Sequence, residues 1–314
     1  MNWQSEIKAA HQRVAPHIVR TPVVQFNGFG LGYPIALKLE QMQHTGSFKA
    51  RGAFNTLLSL DVPQAGLVAA SGGNHGAAVA FAAQKLGHKA KIFVPELAGP
   101  AKIALIERCG ADLQVVSGVY ANALTAAQAY EQDTGAMQVH AYDANPTVAG
   151  QGTVMAEWED QGLDADTVLI AVGGGGLIAG AMAWLNSGLN SGRGSGRKIV
   201  AVEPALAPTL NAALAAGEPT QVDVSGVAAN ALGAGKIGQI CFDLAQDTQV
   251  HSVLVPDEAI SAAQVALWKE TRQLVEPAGA TALSALMCGA YTPAKGEKVA
   301  VLVCGGNLSE DPFG

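Results

Sequence analysis

"VLIAVGGGGLIAGAMAWL", residues 168–185, is the stretch that most limits what this chain can fold into. It carries no charge and is long enough to suggest a membrane span by length alone. Yet Gly173, Gly174, Gly175 and Gly176 sit in its middle, where they would ruin a helix. It reads instead as a strand, a glycine loop and the start of a helix, and no membrane association is expected. Bare amides at a helix start, backed by the positive end of the macrodipole, suit an anion such as phosphate, and only glycine lets it approach closely. Gly174, Gly176 and Ala179 also satisfy a relaxed dinucleotide fingerprint, with Glu203 closing the next strand, although that pattern alone has little specificity.

The same order of apolar β-branched run and helical stretch recurs along the chain, as βα units around a mostly parallel sheet require. Strands are expected at "GLVAAS", "KAKIFVP", "DLQVVSG", "DTVLIAV", "RKIVAVEP" and "KVAVLVC". Helical spacing of apolar residues is found at 76–86, 100–109, 121–134, 153–160, 177–185 and 257–274. The Gly/Ser tract at 186–198 reads as an exposed loop between a helix and a strand. The fold class is therefore α/β. With 314 residues, 49% of them hydrophobic and 14% charged, there is material for a large core and two lobes. A net charge of −7 without a Lys/Arg cluster argues against nucleic acid as a partner. Cys109, Cys241, Cys288 and Cys304 are scattered, with no metal-ligand spacing, which fits reduced thiols in a cytoplasmic protein. The polar N-terminus lacks an apolar core of the kind a signal peptide needs.

Chemistry is expected in three turns that each follow a strand: "SGGNHG" (71–76), "GGGG" (173–176) and "CGGN" (304–307). Ligands bind at the carboxyl ends of strands in open α/β sheets, so the three could converge on one crevice. Lys49, in "HTGSFKARGAFN", falls in the first turn of an expected helix, with Ser47 as its cap. Burial and the helix dipole would both lower a lysine's pKa there, giving the neutral amine that Schiff-base chemistry needs. Read alone, such a lysine more often reaches out to solvent. Ser71, Asn74 and His75 among glycines could hold a carboxylate, or they could simply begin a helix.

Taken together, "TGSFKARGA", "SGGNHG", "DANPTVAGQGT", "VGGGGLIAG", "VEP", "EPAGA" and "CGGN" resemble, in order and over nearly the whole chain, the fold type II pyridoxal-phosphate enzymes. The nearest resemblance is to the serine/threonine dehydratase and serine racemase family. It implies two open, twisted sheets with flanking helices, a large cofactor-binding domain from residues 1–61 and 147–314, and a small mobile domain at 62–146. Lys49 would form the Schiff base with pyridoxal 5'-phosphate and take the α-proton. Phe48 would cover one face of the ring and the backbone at Gly226 the other. Asn74 would bind the ring hydroxyl, Gly173 to Gly176 with Leu177 the phosphate, and Cys304, with Glu276 nearby, would face the pyridine nitrogen. Ser71, Gly72, Gly73, Asn74 and His75 would receive the substrate carboxylate. The implied reaction is β-elimination of a 3-hydroxy amino acid such as L-serine or L-threonine, giving a 2-oxo acid and ammonia. The implied assembly is a homo-oligomer, a dimer or larger.

Three departures refine that expectation. Gly72 stands where the racemase branch has a serine that serves the opposite face of the α-carbon, so racemisation is not expected. Thr209 stands six positions after Glu203, where racemase-like members have a second acidic ligand, so Mg²⁺ dependence is doubtful, while a monovalent cation stays possible. The chain ends shortly after "CGGN", so feedback inhibition by isoleucine is not expected. A 3-hydroxyaspartate dehydratase or a serine racemase stays open as an alternative. An oxidoreductase built on the "GGGGLIAG" fingerprint is more distant, since it leaves Lys49 and the Asn74 loop without a task.

Overall fold

Apolar runs with both faces covered become parallel strands, and the segments between them become the crossover helices that parallel pairing requires. The computed structural model describes residues 1–186, 196–248 and 250–310. Its strands are β1 (Val23–Phe26), β2 (Ile35–Leu39), β3 (Leu67–Ala70), β4 (Ala90–Pro95), β5 (Asp112–Val116), β6 (Met137–Gln138), β7 (Thr167–Ala171), β8 (Lys198–Pro204), β9 (His251–Val255) and β10 (Val299–Val303). The larger sheet has the order β1-β2-β10-β7-β8-β9 and is parallel apart from β1, which runs antiparallel to β2. The smaller sheet, β5-β4-β3-β6, is parallel throughout. At the centre of the larger sheet, β7 and β10 are buried along their full length.

All six expected strands are present, as β3, β4, β5, β7, β8 and β10. The helix expected at 153–160 starts earlier and spans Asn145–Asp160, with Pro146 in its first turn, where a missing N–H costs nothing. The one expected at 257–274 is α-helical over Asp257–Ala266 and continues as a π turn over Leu267–Thr271, which Arg272 ends with a φ of 58°. Most of the Gly/Ser tract, residues 187–195, lies outside the described residues. Among the described residues no helix is long and apolar enough to cross a membrane.

The smaller sheet comes from residues 67–138, between β2 and β7 in the chain. Its core takes in Ala50, Ala53, Phe54 and Leu57 of the helix Lys49–Ser59. That helix, which the sequence reading set with the larger unit in residues 1–61, lies between the two. Its other contacts run to the helix Asn145–Asp160. There a cluster of buried charges ties β2 to both helices. Lys38 Nζ donates to Glu157 at 2.6 Å, while Arg51 donates to Glu40 at 2.8 Å and to Glu157 at 2.9 Å. All four side chains are buried, so each charge depends on the others for compensation.

Candidate active site

The carboxyl ends of β3, β7 and β10 run into the three turns singled out above, and the turns do converge. A narrow niche is lined by Phe48, Lys49, Asn74, Gly173–Gly176, Leu177 and Cys304. It opens into a cavity of about 340 Å³ bounded by Lys49, Ser71–His75, Pro95, Ala98, Val119, Tyr120, Tyr142 and residues 229–235. Two of the expected site residues, Gly226 and Glu276, line neither space. Gly226 lies instead against Asp257, whose carboxylate accepts the Val227 amide at 2.9 Å, and Ala231 and Leu232 contribute to the niche wall.

Lys49 is the first residue of its helix, and its Nζ donates to the Ala141 carbonyl at 2.7 Å, 5.2 Å from the centre of the Phe48 ring. Desolvation lowers its pKa to about 8, with Cys304 opposing weakly. The cap expected from Ser47 is not formed. Ser47 is extended and bridged to Gly305, Phe48 occupies the N-cap, and the buried Ser47 hydroxyl finds no partner.

The glycine loop is held from beneath. Thr209, fully buried, donates its hydroxyl to the Gly173 carbonyl at 2.6 Å and stands 3.2 Å from Glu203 Oε1. The Glu203 carboxylate also accepts the amides of Leu210 at 2.7 Å and Asn211 at 2.8 Å, capping the helix Thr209–Ala216. Burial nevertheless pushes Glu203 up to about 7. Gly175 has a φ of 92°, which a side chain would strain. A Cβ on Gly174 would lie 2.3 Å from the Tyr142 ring. The amides of Gly174, Gly175 and Gly176 find no acceptor among the described residues.

Asn74 begins the helix Asn74–Leu86 and is oriented at both ends of its amide. Its Nδ2 donates to Glu276, and its Oδ1 accepts from Asn307 at 2.8 Å, which leaves one N–H for a ligand. Glu276 is buried, is pushed up to about 7 by desolvation, and keeps Oε2 without a partner. Cys304, at the end of β10, donates its thiol to the Ala278 carbonyl at 3.3 Å. Burial, with Glu276 nearby, pushes that thiol far up, so it stays protonated at neutral pH. His75 is held at the Val139 carbonyl at 2.8 Å, and desolvation and then Lys49 lower its pKa to about 3. It is therefore a neutral imidazole that donates Nε2–H, a structural role rather than that of a base. Ser71 accepts the Gly73 amide at 3.2 Å.

These groups fit pyridoxal phosphate: unclaimed amides at a helix start for the phosphate, a low-pKa lysine for the aldehyde, and a neutral thiol where the ring nitrogen would lie. Sequence reasoning missed Ala141, Tyr142, Lys102 and Asp143. Asp143 accepts the amides of Gln239 and Ile240, both at 3.0 Å, and so caps the helix Gln239–Thr248. The "HAYDANP" segment is the local signal that could have drawn attention to three of the four.

Residues 14–305 match the family described as pyridoxal-phosphate dependent enzyme, and the chain belongs to that family. Within it, the chain is 36% identical over 306 residues to the L-threonine ammonia-lyase of Geobacter sulfurreducens, covering 96% of this chain and 75% of that one. It is 33% identical over 313 residues to the phenylserine dehydratase of Ralstonia pickettii, covering 98% and 94%. Among solved structures, a threonine deaminase from T.th. has a TM-score of 0.88 at 34% identity, covering 98% of this chain and 99% of that one. Maize serine racemase has a TM-score of 0.89 at 29% identity, covering 97% and 93%. The fold is thus that of the fold type II pyridoxal-phosphate enzymes.

Proposed function

We propose that this chain is an ammonia-lyase that eliminates the β-hydroxyl of an uncharged 3-hydroxy amino acid, L-serine, L-threonine or a bulkier analogue, to give a 2-oxo acid and ammonia. The observation that carries the reading is the meeting of Lys49, the glycine loop and the Ser71–His75 loop at one cavity. Pyridoxal phosphate, when bound, supplies an aldehyde for the amino group and a ring that withdraws electrons from the α-carbon. Gly173–Gly176 and Leu177 would hold its phosphate, Asn74 its ring hydroxyl, and Phe48 would cover the ring. Lys49 Nζ, with a pKa near 8, is an amine able to take a proton from the α-carbon at neutral pH. The Cys304 thiol would be a neutral neighbour for the ring nitrogen, without the negative charge that would hold that nitrogen protonated.

The cavity wall supports the choice of substrate. Its side chains towards Pro95, Ala98, Val119, Tyr120 and Tyr142 offer no cation, and His75 is neutral, so a second carboxylate, as in 3-hydroxyaspartate, has no partner there. The geometry also gives Gly72 a reason: a Cβ there would lie 2.4 Å from the Ala98 Cβ, so a racemase-type serine does not fit. We take residues 62–146 as a small domain that closes on substrate, and the working form as a homo-oligomer in the cytoplasm. The test is 2-oxo acid release from L-serine, L-threonine and 3-hydroxyaspartate, offered separately to the cofactor-loaded protein. Release from the first two and little from the third is expected. No release from any of them would refute the reading.

A further inference from the structure

Lys102 is a buried cation to which neither the resemblance nor the mechanism gives a task. It lies on the helix Pro100–Arg108, which packs beside the smaller sheet, and only 3% of it is exposed. Its ammonium has three donors, yet the bond it makes is to the Asn230 carbonyl, at 3.3 Å. No carboxylate among the described residues reaches ion-pair distance of it. Glu276 is near enough to be felt, but it makes no ion pair with Lys102: its Oε1 accepts from Asn74 and its Oε2 has no partner. Keeping an under-bonded ammonium out of water is costly unless an anion arrives to compensate it.

The place such an anion would occupy follows from the neighbours. A Cβ built on Gly73 would lie 3.9 Å from Lys102 Nζ and 3.5 Å from the Asn230 carbonyl. Lys102 therefore sits directly behind the Ser71–His75 loop, while Gly73 and Asn230 face the cavity. Gly73 already gives its amide to Ser71, so the loop's remaining donors are neutral groups at the start of the helix Asn74–Leu86. A positive charge behind them would strengthen their hold on a carboxylate.

We infer that Lys102 is a positioning residue for the substrate carboxylate: its ammonium, held behind Gly73, supplies the charge that the Ser71–His75 loop presents through its backbone amides. The inference rests on the proposed reading in needing an amino-acid substrate, but not on elimination. The test uses L-alanine, which has no β-leaving group, and L-alaninamide, which lacks the carboxylate. Their dissociation constants are measured from the cofactor's absorbance in the loaded wild type, Lys102→Met, Lys102→Gln and Lys102→Arg proteins. Lys102→Met and Lys102→Gln should weaken L-alanine by about tenfold or more and L-alaninamide by less than about threefold, and Lys102→Arg should restore most of the loss. Equal weakening of both ligands would mark a merely structural lysine and overturn the inference, as would unchanged L-alanine binding. If Lys102→Met does not fold, Lys102→Gln against wild type gives the same discrimination. Failure of the ammonia-lyase reading shows separately, as L-alanine binding without 2-oxo acid release from L-serine or L-threonine.

Discussion

Replacing Thr209 with valine removes one hydroxyl from beneath the glycine loop and changes the side chain's shape little. That hydroxyl donates to the Gly173 carbonyl at 2.6 Å in a fully buried setting, so the substitution strips a buried acceptor of its donor. Such a loss costs about 1–3 kcal/mol. For a chain of this size, about 2 kcal/mol corresponds to a fall in Tm of roughly 3 °C. Gly173 opens the loop expected to take the phosphate, so the damage should also reach the cofactor. A loss of about 1.4 kcal/mol in how well the loop is held raises the dissociation constant roughly tenfold. Thermal melts with and without pyridoxal phosphate, together with equilibrium dialysis of the cofactor, measure both effects. Thr209→Ser keeps the hydroxyl and should stay close to wild type. Cofactor affinity in Thr209→Val within about twofold of wild type would refute the reasoning, and so would a serine variant as weak as the valine one.

Loading of the apoprotein should accelerate with pH through a midpoint near 8, because Lys49 reacts as the neutral amine and its pKa is lowered to about 8. Stopped-flow uptake at pH 7 should run about tenfold below the alkaline plateau, and a flat profile would contradict the desolvation argument. Gly72→Ser alone should cost about 1–3 kcal/mol through its clash with Ala98. Combined with Ala98→Gly it should fold normally and begin to form D-serine from L-serine, as read by chiral chromatography. A chelator should leave elimination unchanged, since the Glu203 carboxylate already accepts the Leu210 and Asn211 amides. Loss of activity restored by magnesium would refute that.

What could be read from sequence was what is encoded locally. The strands β7, β8 and β10 are continuous apolar runs and announce themselves. By contrast, β1 is half exposed with no alternation, β6 is two residues long, and β2 carries a lysine next to its last residue. Lys38 argues against a buried strand until Glu157, 119 residues away, is known to meet it. The site divides in the same way. Lys49, Asn74 and the glycines sit in short motifs, and the niche gathers them as expected. Ala141 and Tyr142 meet Lys49 and the glycine loop, and Lys102 the back of the Ser71–His75 loop, only through the packing of the smaller sheet's connections, and for Lys102 no local pattern reports it. Ser47 went the other way: its sequence neighbourhood favours a helix cap, but pairing with Gly305 overrides that local preference.

The buried cluster of Lys38, Glu40, Arg51 and Glu157 bears on how this sequence can drift over generations. Its two cations and two carboxylates balance, and removing any one leaves an uncompensated charge in the interior at a cost of about 3–5 kcal/mol. Single steps at these positions should therefore be purged, and change should come through paired exchanges or wholesale replacement by apolar residues. Arg51 lies two residues beyond Lys49 on the same helix, so the reactive lysine inherits that constraint. Its place is guarded by four positions, none of which can be altered alone.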